Sequence, residues 1–313
     1  MYKIILAIIM LLASTVSAEE AFPEVTKGKI ERISSFNSQL IASRFIDVWL
    51  PPGYSASQKY DVLYMHDARM LFDKNTTWNK QEWMLDETAG RLIELNKVRP
   101  FIVVAIPNAK ENRHSEYFPQ KPFESISPQQ QTEMYKLRRS PEQALFNTRV
   151  YSDSYLAFIV KELIPYIERE YSVNIGGKHR YLAGSSMGGL ISWYGLMEYP
   201  NEFAGAICMS SHWPGGFADN EVLFNAFYDY IQSNLPRLTK QKVYFDYGDQ
   251  TLDALYPPLQ KQIDALFIKH RYPKKQWRSQ FFPNENHSEK SWAKRLDEPL
   301  AFMFKNSVKA EVK

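Results

Sequence analysis

Gly184-Ser185-Ser186-Met187-Gly188 sets a serine hydroxyl between two glycines. Such a hydroxyl becomes a useful nucleophile only when a neighbouring base removes its proton. The G-x-S-x-G pattern gains meaning when a short strand runs into it and a helix runs out of it. Tyr181-Leu182-Ala183 and Gly189-Leu190 supply that setting here. A sharp strand-to-helix turn strains the serine backbone, and the flanking glycines let adjacent segments pass without collision. The helix start adds free N–H groups and the positive end of the helix dipole, both suited to developing negative charge. The chemistry expected is nucleophilic acyl transfer from Ser186.

That chemistry needs a base and an acid, in the chain order nucleophile, acid, histidine. Two histidines follow Ser186 at a useful distance, His270 and His287. His270 closes a helical stretch, where a partner for the helix C-terminus is the better reading. His287 stands in a loop directly after the last strand, where the base belongs. Asp249 and Asp253 both follow the strand Lys242 to Tyr247, and the residues alone leave the choice between them open. Asp246 lies inside that strand and is a weaker candidate. Two backbone N–H groups are needed to hold an oxyanion. Met187 supplies one, and Ala68, in the loop after the strand Val62 to Met65, is expected to supply the other. His66, Asp67, His212 and Trp213 are placed around the substrate pocket, with His66 also shaping its loop. Trp78, Trp83 and Trp213 have the flat faces that stack on sugar or catechol rings, although the core is the commoner place for an aromatic. The six histidines show no His-x-x-x-His spacing, so neither a metal nor an organic cofactor is called for.

The elements that must position these residues alternate. Short apolar runs at Val62 to Met65, Phe101 to Ile106, Arg180 to Ala183, Phe203 to Met209, Lys242 to Tyr247 and Trp277 to Phe282 read as buried strands. Helical spacing separates several of them, at Met84 to Leu95, Tyr155 to Tyr171, Gly188 to Glu198 and Ala254 to His270, and Ser291 to Lys305 closes the chain. This is the pattern of a mostly parallel, doubly wound α/β sheet covered on both faces. Gly28 to Ser34 and Arg44 to Leu50 are expected to add an antiparallel N-terminal strand pair. The polar, proline-punctuated stretch from Lys110 to Val150 has no sustained period beyond one helix near Gln129 to Arg139. It reads equally well as an excursion over the ligand-binding edge and as a plain surface insertion.

The chain resembles the esterase family of α/β-hydrolases that includes esterase D, feruloyl and acetyl-xylan esterases and the enterochelin esterases. Tyr64 to Asp73, containing His66-Asp67-Ala68, is similar to that family's His-Asp-Gly loop, with Ala68 where many relatives have glycine. Trp83 to Glu87, Asn108 to Arg113, Glu116-Tyr117, Ala183 to Leu190, Tyr244 to Gly248, Thr251 to Ala254, and His287-Ser288-Glu289 with Trp292 and Arg295 carry the rest of the likeness. The resemblance covers nearly all of the chain after its first residues. It implies an α/β-hydrolase fold, with Ser186 as nucleophile, His287 as base and Asp253 as acid. The substrate it implies is a small-molecule or oligosaccharide ester: an acyl or feruloyl ester of a carbohydrate, or a siderophore ester. Acyl transfer to a sugar uses the same three residues, and a non-catalytic binding module on the same fold is the reading outside enzymology.

Composition narrows the partners. The 313 residues carry 38 Lys and Arg against 35 Asp and Glu, a formal charge of +3. That balance argues against nucleic acid, which calls for a strongly basic face. Residues 1–18 read as a signal peptide: Lys3, the apolar run Ile4 to Leu12, then the small residues of Val16-Ser17-Ala18. The run is too short for a comfortable membrane span of roughly 20 residues. A single esterase domain over 19–313, released to the periplasm or secreted without stable membrane insertion, is the expectation. The lone cysteine, Cys208, lies in an apolar stretch and is expected to be a buried thiol. Oligomeric state is not legible.

Overall fold

The computed structural model describes residues 20–306; the expected signal peptide lies outside them. Eight strands form one sheet: β1 (Lys29–Phe36), β2 (Arg44–Leu50), β3 (Asp61–His66), β4 (Phe101–Ile106), β5 (Arg180–Ser185), β6 (Gly205–Met209), β7 (Lys242–Tyr247) and β8 (Trp277–Phe281). Their spatial order is β1-β2-β4-β3-β5-β6-β7-β8. β2 is antiparallel to both β1 and β4, and every pairing from β4 through β8 is parallel. The sheet therefore has the expected α/β-hydrolase character, mostly parallel with an antiparallel N-terminal pair.

Successive strand residues point to opposite faces, and both faces are buried. Val62 and Tyr64 enter one core while Leu63 and Met65 enter the other. The second face is covered by α1 (Leu85–Glu94), α10 (Glu289–Arg295) and α11 (Asp297–Phe304). The first is covered by α2 (Arg113–Tyr117), α3 (Gln120–Ser125), α4 (Pro128–Tyr135), α5 (Ser152–Phe158), α6 (Ile164–Glu170), α7 (Met187–Glu198), α8 (Glu221–Asn234) and α9 (Tyr256–Lys269). Cys208 is a buried thiol, as expected. No described helix is long and apolar enough to cross a membrane.

Three details differ from the sequence reading. Helix α8 was not anticipated, although its buried Phe224, Phe227 and Ile231 recur at helical spacing and Asn220 caps it by accepting the Leu223 N–H at 3.1 Å. The closing helix is two helices that meet at Leu296. The single helix expected near Gln129 to Arg139 is instead the last of three short ones, α4, started by Pro128 and a Ser127–Gln130 capping box. Together these three pack a small aromatic core in which Phe118 meets Phe123 and Phe146 edge-on. The stretch from 110 to 150 thus forms part of a cavity wall, as the excursion reading held, and is more than a surface insertion.

Candidate active site

Parallel α/β sheets bind ligands at the carboxyl ends of their strands, and the candidate residues gather there. Ser186 follows β5 and opens α7, with φ 56° and ψ −121°. An L-residue reaches this conformation only when its surroundings over-determine it. Here the Ser186 N–H donates to the Met209 carbonyl at 2.9 Å, and its own carbonyl accepts from Leu190 N at 3.0 Å and His212 N at 3.3 Å. Gly184 is required at this turn: a Cβ on it would lie 2.6 Å from the Gly188 carbonyl. Met187 is the first residue of α7, so its N–H has no partner within the helix and is free to face a ligand.

His287 sits in the loop after β8. Its Nδ1–H donates to Asp253 Oδ1 at 2.6 Å, and its backbone N–H donates to Thr251 Oγ1 at 3.0 Å. The imidazole is wedged edge-on between the rings of Trp292, 5.0 Å away, and Tyr256, 5.7 Å away. Asp253 lies in the turn Thr251–Leu255 after β7 and is fully buried. Burial pushes its carboxyl up, but hydrogen bonds from His287, Ser210 and the Gly248 N–H outweigh that and hold it below the ordinary aspartate range. Asp249 is turned away: its Oδ1 accepts the Asn284 N–H at 2.8 Å. The structure therefore brings Asp253, not Asp249, to His287.

Ser186 and His287 line one cavity of about 830 Å3, together with Met187 and His212. The two side chains make no direct hydrogen bond. Contacts of this kind commonly tighten only when substrate binds. The buried Tyr256 hydroxyl neighbours Ser186 and is hydrogen-bonded to His212 Nδ1 at 2.9 Å.

Ala68 begins a single helical turn after β3, preceded by Asp67 at φ 63°. Two arginine nitrogens of Arg113 donate to the two Asp67 oxygens at 2.7 Å each, and Asn108 Nδ2 adds a third bond at 2.7 Å. Burial raises the Asp67 carboxyl, but the charge and hydrogen bonds of Arg113 overcome it and hold the group below the ordinary aspartate range. Oδ2 of Asp67 lies 3.2 Å from where a Cβ on Gly188 would sit. The Asp67 side chain thus rests on the first turn of α7; Met187 lines the cavity, and Ala68 does not.

Of the four residues expected around the substrate pocket, Asp67 and His212 line the cavity, and His66 and Trp213 do not. His66 is buried behind the wall, with Nδ1 hydrogen-bonded to Tyr155 at 2.7 Å. Burial lowers its pKa to about 4, so the ring is neutral and structural. Trp213 has no exposure, donates its indole N–H to Gln260 Oε1 at 2.7 Å and stacks on Trp193. Its large apolar ring is worth more in the core than at a wet rim. Of the other tryptophans, Trp83 is buried at the cavity base, and Trp78, 82% exposed, stands at the mouth with Phe217. Sequence reasoning passed over Tyr256, Ser210 and Arg113. Arg113 is preceded by an Asn at 108, and both turn onto Asp67 only through the fold. Among the described residues, no group of three or more His, Cys, Asp or Glu is placed to hold a metal ion.

A family described as "Putative esterase" matches residues 39–303. The uncharacterized protein YjcH of Bacillus subtilis (strain 168) is 24% identical over 187 residues, covering 59% of this chain and 62% of that one. The chain spans about three fifths of the length of the curated relatives it matches. Among solved structures, an IroE-like serine hydrolase from Shewanella oneidensis aligns with a TM-score of 0.64 at 19% identity, over 88% of this chain and 80% of that one. The feruloyl esterase module of Clostridium thermocellum aligns with a TM-score of 0.58 at 17% identity, over 95% of each chain. These structural likenesses are likenesses of fold.

Proposed function

The chain belongs to the putative esterase family, and we propose that it is a serine carboxylic-ester hydrolase that works through Ser186, His287 and Asp253. The observation that carries this reading is the 2.6 Å bond from His287 Nδ1 to a buried, ionised Asp253, at the edge of the cavity that also holds the strained Ser186. With Nδ1 committed to the carboxylate, Nε2 keeps the lone pair that can act as base.

Ser186 Oγ adds to the ester carbonyl while His287 Nε2 takes its proton. The carbonyl π pair moves to oxygen, and the resulting oxyanion is held by the Met187 and Ala68 amides. On collapse the bond to the alcohol oxygen breaks, and the proton on Nε2 goes to that oxygen. Water then attacks the acyl-enzyme with the same proton traffic, releasing the acid and Ser186. Asp253 keeps the imidazole oriented and stabilises its cationic form throughout.

For substrate class we propose an ester carrying a ring, either a feruloyl or acyl ester of a carbohydrate or a siderophore ester. The exposed Trp78 and Phe217 at the cavity mouth support it, since such faces stack on sugars and phenols. Related folds carry the names feruloyl esterase and enterobactin esterase. We also propose export, by cleavage after residue 18, to the periplasm or beyond. A panel of methyl ferulate, an acetylated xylo-oligosaccharide and a catecholate-serine ester separates the substrate classes. The reading fails if none of these and no p-nitrophenyl ester is hydrolysed. N-terminal sequencing of protein from the periplasm and medium tests the export proposal.

A further inference from the structure

Ser210 directly follows β6, with its backbone in the left-handed region at φ 40°. Its hydroxyl oxygen meets three side chains. Trp292 Nε1 lies 3.0 Å away, Arg295 Nη2 2.8 Å, and Asp253 Oδ2 2.6 Å. Donor and acceptor capacity decides the direction of every bond. An indole N–H and a guanidinium N–H can only donate, and a hydroxyl has two lone pairs and one proton. Trp292 and Arg295 therefore occupy both lone pairs of Ser210, and the one hydroxyl proton has a single acceptor left, Asp253 Oδ2.

The consequence passes along the chain of groups. Oδ2 also accepts the Gly248 N–H at 2.7 Å, so a proton cannot settle there without displacing a donor. Asp253 is left with Oδ1, which faces His287 Nδ1 at 2.6 Å. A carboxylate that only accepts requires Nδ1 to carry the hydrogen, which fixes the imidazole tautomer with Nε2 open toward the cavity. Arg295 has an acid partner of its own: the same Nη2 donates to Asp246 Oδ1 at 2.8 Å. The Asp246 carbonyl also accepts the Ser210 N–H at 2.8 Å, holding the backbone turn.

We propose that Ser210, aimed by Trp292 and Arg295, is a positioning residue that locks the Asp253 carboxylate and thereby sets the His287 tautomer. The proposal rests on the ester-hydrolase reading for its kinetic consequence, and on geometry alone for the hydrogen-bond order. Its test compares the wild type with Ser210→Ala and Ser210→Gly; glycine suits a positive φ, so it removes the hydroxyl with the least backbone cost. The first measurement is the far-downfield proton NMR signal of His287 Nδ1–H in the ligand-free protein, which needs no substrate. The second is kcat and KM on p-nitrophenyl acetate. Both variants should lose or broaden the downfield signal. Their kcat should fall about 10- to 100-fold, the scale of one hydrogen bond to a charged group, with KM within about twofold. A folded variant with the native signal and a kcat within about twofold of wild type overturns the proposal, even if its melting temperature drops, because that is what a merely structural serine would give. A wild type that shows the Ser210-dependent signal yet hydrolyses no ester contradicts the esterase reading and leaves the hydrogen-bond order standing.

Discussion

His287 Nδ1 stands 2.6 Å from Asp253 Oδ1, whereas Asp249, four residues earlier, spends its carboxylate on the Asn284 backbone. Asp253→Asn should therefore lower kcat by about 10^3- to 10^4-fold, because the amide favours the wrong imidazole tautomer. Asp249→Asn should stay within a fewfold of wild type. Steady-state kinetics of both variants on p-nitrophenyl acetate decide it, and a larger loss at Asp249 would reverse the assignment.

The pairing of Arg113 with Asp67 makes a second prediction. Arg113→Met leaves a nearly buried carboxylate with Asn108 as its one remaining side-chain donor. Loss of the partner of a buried ion should cost roughly 3 kcal/mol of stability. The loop that carries Ala68 should loosen as well, so kcat should fall more than KM rises. Urea unfolding with kinetics on the same preparation checks both parts; unchanged stability would show that the pair does not hold the loop.

Gly184→Ala probes the elbow itself. The added methyl would sit 2.6 Å from backbone atoms of Gly188, which cannot swing aside as a side chain would. The expected loss is about 1–3 kcal/mol, as for other overpacked sites, with activity lost in the fraction that still folds. Full activity and an unchanged melting temperature would mean the turn is looser than described.

Acid should weaken the fold before it protonates most carboxylates. Burial lowers His66 to about 4, His114 to about 3 and His212 well below its ordinary value. An unfolded histidine titrates near 6.5. Below that pH the unfolded chain binds protons that the native one refuses, so these groups' stability is present above about 6.5 and is lost toward their folded values. Each contributes on the order of 1 kcal/mol per pH unit in that window. Glu87, raised by burial to about 7, works in the opposite direction, as do Glu116, Asp246 and the other carboxylates that burial raises. The urea midpoint should fall between pH 7 and pH 5; a flat or rising midpoint would contradict the buried neutral histidines.

Much of the site was legible because its constraints are local. Gly184 and Gly188 mark a turn that few sequences need, β3 through β8 announce themselves as short apolar runs, and His287 is the histidine that follows the last strand. What could not be read depends on long-range contact. Asp249 and Asp253 differ in which way a turn faces, and that turn is built around Thr251 at φ 56°. His66 ends β3, where alternation along the strand turns it away from the cavity, and Trp213 sits in the loop after β6, where its ring packs on Trp193 instead. Trp292 and Arg295 are spaced to share one face of α10, but only the fold shows that this face meets Ser210 directly after β6. The short helices α2 to α4 are too brief for a period, and their aromatic core forms only when they come together.

The central claim, that Ser186 is an acylated nucleophile, is tested most directly by treating the wild type and Ser186→Ala with a fluorophosphonate and measuring intact mass, peptide mass and p-nitrophenyl acetate hydrolysis on the same samples. The account predicts one phosphonyl adduct, on Ser186, loss of wild-type hydrolysis in step with labelling, and a fall of at least about 10^3-fold in the alanine variant. Equal hydrolysis by the two proteins, or an adduct on another residue with Ser186 unmodified, would contradict it.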